Sequence, residues 1–368
     1  MLAITGWGVI SPIGIGIDAF TEGCTKKSSG LKPITGYTTD PLPFDEACII
    51  PEFETTKFLG SKGTRSMDRT TGMAVAAVGM ALKYSGITVE PKQDRIGVVL
   101  GTSTGSIRSI SEFTRETLVQ ERPYLVNPAL FPNTVMNCAA GQCAIWHKLK
   151  GVNATISGGK LSGLLALRYA ALTIRSGYAD TLLTGAVEEF CEQTAWAYYH
   201  TSSSRQKLPL GEGCAIFVLE KPEIAQANNR KILAEVLGCE FGVYSKININ
   251  NAKQQAVGLA SCIQKLLVSA NITPSQIEVI AKCHCEIPVL HRLQDEGLSM
   301  ALMGMDCAYH FSISDLIGDC FSASAAFQLA ALLAFFESLP TAGNRYGLIT
   351  SVGWDGTVGC MLIRAGGN

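Results

Sequence analysis

The chain has 368 residues, with 47% hydrophobic and only 17% charged side chains and a formal net charge of −1. That balance predicts a large buried core and an extended interface in one large or two modest domains. Without a basic block it excludes nucleic acid as a partner. No apolar run reaches the ~18–20 residues needed to span a bilayer, so no membrane contact is expected.

Apolar β-branched runs alternate with alanine-rich stretches of helical period. MLAITGWGVISP lacks the basic start and small-residue cleavage site of a signal peptide, so it reads as a first strand, predicted at Leu2–Ile4. A helix is predicted over Asp68–Tyr84, then strands at Ile96–Leu100 and Ala154–Ile156. A helix over Ser162–Ser176 follows, and then strands at Thr181–Gly185 and Ala215–Leu219. The second half predicts a strand at Leu233–Leu237, a helix over Lys253–Ala270 and a strand at Val279–Ala281. It ends with a helix over Ala323–Glu337 and strands at Leu348–Thr350 and Gly359–Ile363. Continuous apolar strands separated by helices predict sheets covered on both faces, a layered α/β class.

Ser162–Ser176 carries Leu164, Leu165, Leu167, Ala170, Ala171 and Leu172, and Ala323–Glu337 has the same character. Helices without a polar face are predicted to be buried centrally, one in each half. A polar seam is predicted near Lys221–Lys231. The 13 cysteines are odd in number and scattered, which argues against a disulfide framework and for a cytoplasmic location. Cys283-His284-Cys285 has no second cluster beside it, so no metal is expected. Ser202–Ser204 and Thr102–Thr104 read as loops.

Several stretches carry a resemblance. Ile4–Gly14 is similar to an ITGxGxxSPxG opening, Arg65–Arg69 to R-x-M-D-R, and Gly97–Gly105 to the strand and turn that follow. GVNATISGGKLSGLLALRYAALTIRSGYADTLLTGAVE, from Gly151 to Glu188, resembles the strand, elbow and helix of a β-ketoacyl synthase. LGEGCAIFVLE, from Leu210 to Glu220, resembles the end of that family's first half. The resemblance implies a thiolase-like five-layered αβαβα fold of two pseudo-duplicated halves, residues 1–225 and a shortened 226–368.

In that family the elbow holds the condensing cysteine. Here Lys160 occupies the aligned turn, and no cysteine lies between Cys143 and Cys191. The first catalytic histidine matches His284 without its glycines and threonines. The second is replaced by Asp319, the family lysine falls near Ser314, and the glycine gate becomes Gly353-Trp354-Asp355-Gly356. Condensation needs an activated thiolate and donors for the developing charge. Lys160 forms no transferable thioester, and an ionised Asp319 would repel an enolate. No catalytic residue and no cofactor are therefore expected. Lys160, Asp319, His284 and a plugging Trp354 form a vestigial site, and the opposite charges of Lys160 and Asp319 predict a buried ion pair.

Such a chain most resembles a chain length factor, the partner of an active ketosynthase in type II polyketide synthases. The resemblance implies a heterodimer with that ketosynthase, served by an acyl carrier protein, with this chain forming the far end of the product tunnel. Ile107, Ile110 and Thr114 fall on one helical face, with Phe113 beside them and Trp196 on another wall. Simple core packing is the competing reading of these five. Aromatic polyketide is the first expected product class. The alternatives are a partner subunit in aryl polyene assembly, or an acyltransferase or decarboxylase using Lys160.

Overall fold

The computed structural model describes residues 1–35, 41–201, 208–244, 252–284, 288–304, 309–338 and 345–366. Ser202–Ser204 and Cys285 lie outside them. Two five-stranded leaves, joined through short pairing of Leu2–Ile4 with Ala234–Val236, make up most of an 11-stranded sheet.

The first leaf contains, in chain order, Leu2–Ser11, Ile96–Gly101, Asn153–Ile156, Thr181–Glu188 and Gly213–Glu220. The second contains Ala234–Val243, Ile277–Ala281, Tyr309–Phe311, Tyr346–Val352 and Thr357–Ala365. Across each leaf the spatial order is third, second, fourth, fifth, first. In each, the second strand runs parallel to the third and fourth, and the fifth runs antiparallel to the fourth and first. The two halves therefore repeat one topology although their sequences show no visible repeat.

Helices sort into three layers around these leaves. Arg69–Ser85 and Cys138–His147 cover the outer face of the first leaf. Ala252–Ala270 and Pro288–Ala301 cover that of the second. Ser162–Arg175 and Ser324–Glu337 lie between the leaves and touch each other. The apolar core follows this plan. One cluster joins the two middle helices to both leaves, and separate clusters lie under each outer layer. The order is αβαβα, as expected.

Ser324–Glu337 is enclosed almost all round, and its Gln328 amide donates to the Ala281 and Thr350 carbonyls of the second leaf. Ser162–Arg175 corrects the expectation of full burial. Arg168, Tyr169, Leu172 and Arg175 face solvent. The helix lies beside Asn153–Ile156, the edge strand of its leaf, beyond which no strand pairs among the described residues.

The first strand is longer than expected for a Gly-x-Gly stretch. A Cβ on Gly8 would lie 2.3 Å from the Ala77 carbonyl oxygen, and one on Gly6 2.8 Å from that of Ala81. The glycines let helix Arg69–Ser85 cross the strand at backbone contact. The seam near Lys221–Lys231 contains a short helix, Pro222–Ala227.

Candidate functional site

Strand Asn153–Ile156 turns through residues 157–161 into helix Ser162–Arg175. Ser162 closes the turn: its hydroxyl donates to the Gly159 carbonyl at 2.6 Å and accepts from the Gly158 N–H at 2.9 Å. Gly159 takes φ 58°. A Cβ on Gly163 would meet the Ser322 carbonyl oxygen at 2.7 Å, so the helix start can press against the segment that carries Asp319.

Lys160 projects from this turn just before the helix. A helix N-terminus carries partial positive charge, which favours a thiolate and disfavours an ammonium. Its acceptors offset that conflict. The Lys160 Nζ donates to Asp319 Oδ2 at 3.0 Å and to the His284 carbonyl at 2.9 Å. The side chains are 13% and 6% exposed, so the ion pair is buried as the opposite charges predicted.

Asp319 is fixed on every side. Its N–H donates to the Pro209 carbonyl at 2.8 Å, and its own carbonyl accepts from the Gly211 N–H at 2.9 Å. Oδ1 accepts from the Phe321 N–H at 2.8 Å. Burial opposes its charged form. The Lys160 ammonium and these hydrogen bonds outweigh burial and hold the carboxyl below its usual range. His284 follows strand Ile277–Ala281, and burial first, then the Lys160 charge, lowers its imidazole below the ordinary value. The ring is therefore neutral near pH 7. Ser314 stands buried at the start of the short helix Ser314–Ile317.

Trp354 does not plug this site. It is 73% exposed on the turn between the last two strands. That turn is held by Tyr244, whose hydroxyl donates to the Gly353 carbonyl at 2.7 Å and whose N–H donates to that of Gly356 at 2.8 Å. It faces the elbow through Asp355 instead: a Cβ on Gly159 would lie 3.5 Å from Asp355 Oδ2. In sequence the tryptophan is the conspicuous residue of this turn, and only the turn geometry picks out its neighbour.

Ile107, Ile110, Phe113 and Thr114 lie on helix Ile107–Val119, of which no residue is fully buried. Ile107, Ile110 and Phe113 are half-buried and Thr114 is exposed. The Phe113 ring lies 5.7 Å from that of Phe131. Trp196 sits on the neighbouring helix Glu192–Thr201, its indole N–H donating to the Pro41 carbonyl at 3.1 Å. An Arg108–Glu192 ion pair joins the two helices at 3.2 Å. These five residues are thus on adjacent elements.

Every described cysteine is a free thiol, and none occupies the elbow. Cys320, next to Asp319, is fully enclosed, and burial pushes its thiol far above the ordinary value. No group of three or more metal-binding side chains occurs among the described residues. No described helix is long and apolar enough to cross a membrane.

Residues 1–225 match the model of the β-ketoacyl synthase N-terminal domain. The chain is 33% identical to a solved structure described as the ishigamide ketosynthase/chain length factor. The TM-score is 0.86, and 99% of each chain is covered. A β-ketoacyl synthase from Burkholderia phymatum STM815 shares the fold at TM-score 0.82 and 20% identity, covering 99% of each chain. The 3-oxoacyl-[acyl-carrier-protein] synthase 2 of Vibrio cholerae is 28% identical over 321 residues, 82% of this chain and 77% of the relative. The αβαβα architecture is thiolase-like, and the chain belongs to the β-ketoacyl synthase family.

Proposed function

We propose that this chain is a non-catalytic, chain-length-setting subunit that pairs with an active ketosynthase in type II polyketide assembly in the cytoplasm. The observation that carries the reading is the Lys160–Asp319 ion pair at the elbow, where the resemblance would put a condensing thiol. The Lys160 nitrogen donates to Asp319 Oδ2 and the His284 carbonyl, so it is held as a donor rather than offered as a nucleophile. A reaction using Lys160 is disfavoured on the same ground. The 33% identity to a ketosynthase/chain length factor adds support.

The partner surface follows from the uncovered edge. Asn153–Ile156 leaves one side of the first leaf unpaired among the described residues, and an exposed edge strand invites pairing with another chain. Tyr169 and Leu172 stand exposed on the adjoining helix. We assign this edge to the ketosynthase, with the acyl carrier protein delivering chains to the complex. Aromatic polyketides are the first product class proposed and aryl polyenes the second.

Co-expression with a type II ketosynthase from the same source, followed by purification through one tag and sizing, tests the reading. A stable one-to-one complex supports it. A homodimer that ignores the ketosynthase, or acyl transfer from a malonyl carrier protein to this chain alone, would overturn it. Within the complex, Phe113→Ala or Trp196→Ala is expected to lengthen the product, as measured by mass spectrometry. Unchanged length from an intact complex removes that residue from the tunnel wall.

A further inference from the structure

Helix Ile107–Val119 has no fully buried side chain. Its start is held by polar contacts. Ser106 caps it, accepting from the Ser109 N–H at 3.2 Å, and the Ser106 hydroxyl donates to Glu189 Oε1 at 2.8 Å. The Arg108 N–H points to the same oxygen at 3.4 Å. Ser109 donates to Asp68 Oδ2 at 3.1 Å.

One residue earlier, Glu188 ends strand Thr181–Glu188 and takes different partners. Its Oε1 accepts from the Ser103 N–H at 2.5 Å and from the Ser322 hydroxyl. Ser103 lies in the turn before the helix, and its carbonyl accepts from the elbow Ser157 hydroxyl at 2.8 Å. Ser322 lies three residues beyond Asp319. Adjacent buried carboxylates thus hold the loop, the helix start and the Asp319 segment together.

We infer that Glu188 and Glu189 form a carboxylate clasp that positions helix Ile107–Val119 against the Asp319 segment and thereby sets the length of chain the tunnel accepts. The length-setting part rests on the tunnel reading above. These are positioning residues, since their hydrogen bonds go to the helix start and its flanking loop.

The clasp has a definite pH response. Burial is the main cause that pushes each carboxyl up to about 7. Asp68 adds to it at Glu189, and Glu189 adds to it at Glu188. The other titratable or charged groups facing them are Arg108, which is paired with Glu192, and the thiols of Cys191 and Cys320. A raised folded-state value means the stability is complete below the unfolded value near 4.5. It is lost as pH rises through about 7. The clasp is tighter at pH 6 than at pH 8.

The test is amide hydrogen exchange over residues 103–110 in the ketosynthase complex, corrected for intrinsic rates, together with product lengths at pH 6 and 8. Wild type is expected to lose local protection as pH rises from about 4.5 to about 7, by up to about tenfold per pH unit for each carboxyl, and to level off above 7. Glu189→Gln, which keeps an acceptor without the titration, should flatten that response at its site. Ser106→Ala should lose protection at both pH values without unburying a charge. Product distribution should shift wherever protection falls. Unchanged protection in Ser106→Ala, or a response in Glu189→Gln as steep as wild type, overturns the clasp. Lost protection with unchanged product lengths leaves the clasp standing and overturns its length-setting role, and with it the tunnel reading of this helix.

Discussion

Lys160→Met is expected to lower the unfolding free energy by about 3–5 kcal/mol at pH 7, because it leaves the Asp319 carboxylate buried without its cation. Asp319→Asn should cost less, since an amide oxygen still accepts from the ammonium. The double variant Lys160→Met with Asp319→Asn should cost much less than the sum of the two, with urea denaturation supplying the cycle. A swap of the two residues should recover part of the loss and would place an acid at the helix start, where the dipole favours it. The pH dependence separates the cases. Asp319 is depressed in the wild type, so its contribution is complete above the ordinary value of 3.8 and is lost as pH falls through the lower folded value. In Lys160→Met the carboxyl keeps its burial and loses its main partner, so protonation relieves it. The gap between wild type and variant should therefore narrow on acidification from pH 7 toward 4. Single variants that both unfold like wild type would remove the ion pair as a stabilising feature.

Much of this site was legible before any coordinates, because losing a thiol and gaining a lysine and an aspartate are statements about residue type. Their pairing followed from opposite charge at positions that the family brings together. What the sequence hid depends on neighbours. Leu172 and Tyr169 look like core residues in an apolar helix, yet they face outward because Asn153–Ile156 is an edge. Trp354 is the conspicuous residue of its turn, yet the turn aims Asp355 at the elbow. The sequence predicts the first strand only at Leu2–Ile4, yet it runs on through Gly6 and Gly8, where a helix crosses at backbone contact. The shared strand order of the two leaves left no trace in sequence, since topology is kept by pairing rather than by residue identity. The clasp was hidden for a further reason. Glu188 and Glu189 are adjacent in sequence, and their partners lie more than 80 residues away.

The other large effect expected lies where two stretches read separately, Arg65–Arg69 and Leu210–Gly213, prove to be one device. Arg69 meets Glu212 through two nitrogens, Nε to Oε2 at 2.7 Å and Nη2 to Oε1 at 2.6 Å. Glu212 is fully buried and also accepts from the Ile50 N–H at 2.8 Å and the Phe190 N–H at 3.2 Å. Arg69 donates further to the Ile50 and Phe53 carbonyls, with its guanidinium 5.7 Å from the Phe53 ring. The pair ties residues 50–53, the start of helix Arg69–Ser85, the end of strand Thr181–Glu188 and the start of strand Gly213–Glu220 into one knot. Arg69→Met is expected to cost about 3–5 kcal/mol by leaving a carboxylate unpaired in the core. Arg69→Lys should recover only part of that, since an ammonium cannot reproduce the two-pronged contact. Glu212→Gln should cost less than Glu212→Ala, which leaves two N–H groups and a guanidinium without their acceptor. The damage should also reach the site. Gly211 donates to the Asp319 carbonyl, and Glu212 donates its N–H to Cys48, so a loosened Glu212 frees the strip on which Asp319 is docked. Proteolysis near residues 209–212 under native conditions should therefore rise in Arg69→Met, and rise further when Lys160→Met is added. Equal susceptibility in the single and double variants would mean that the knot and the ion pair hold separate parts of the fold.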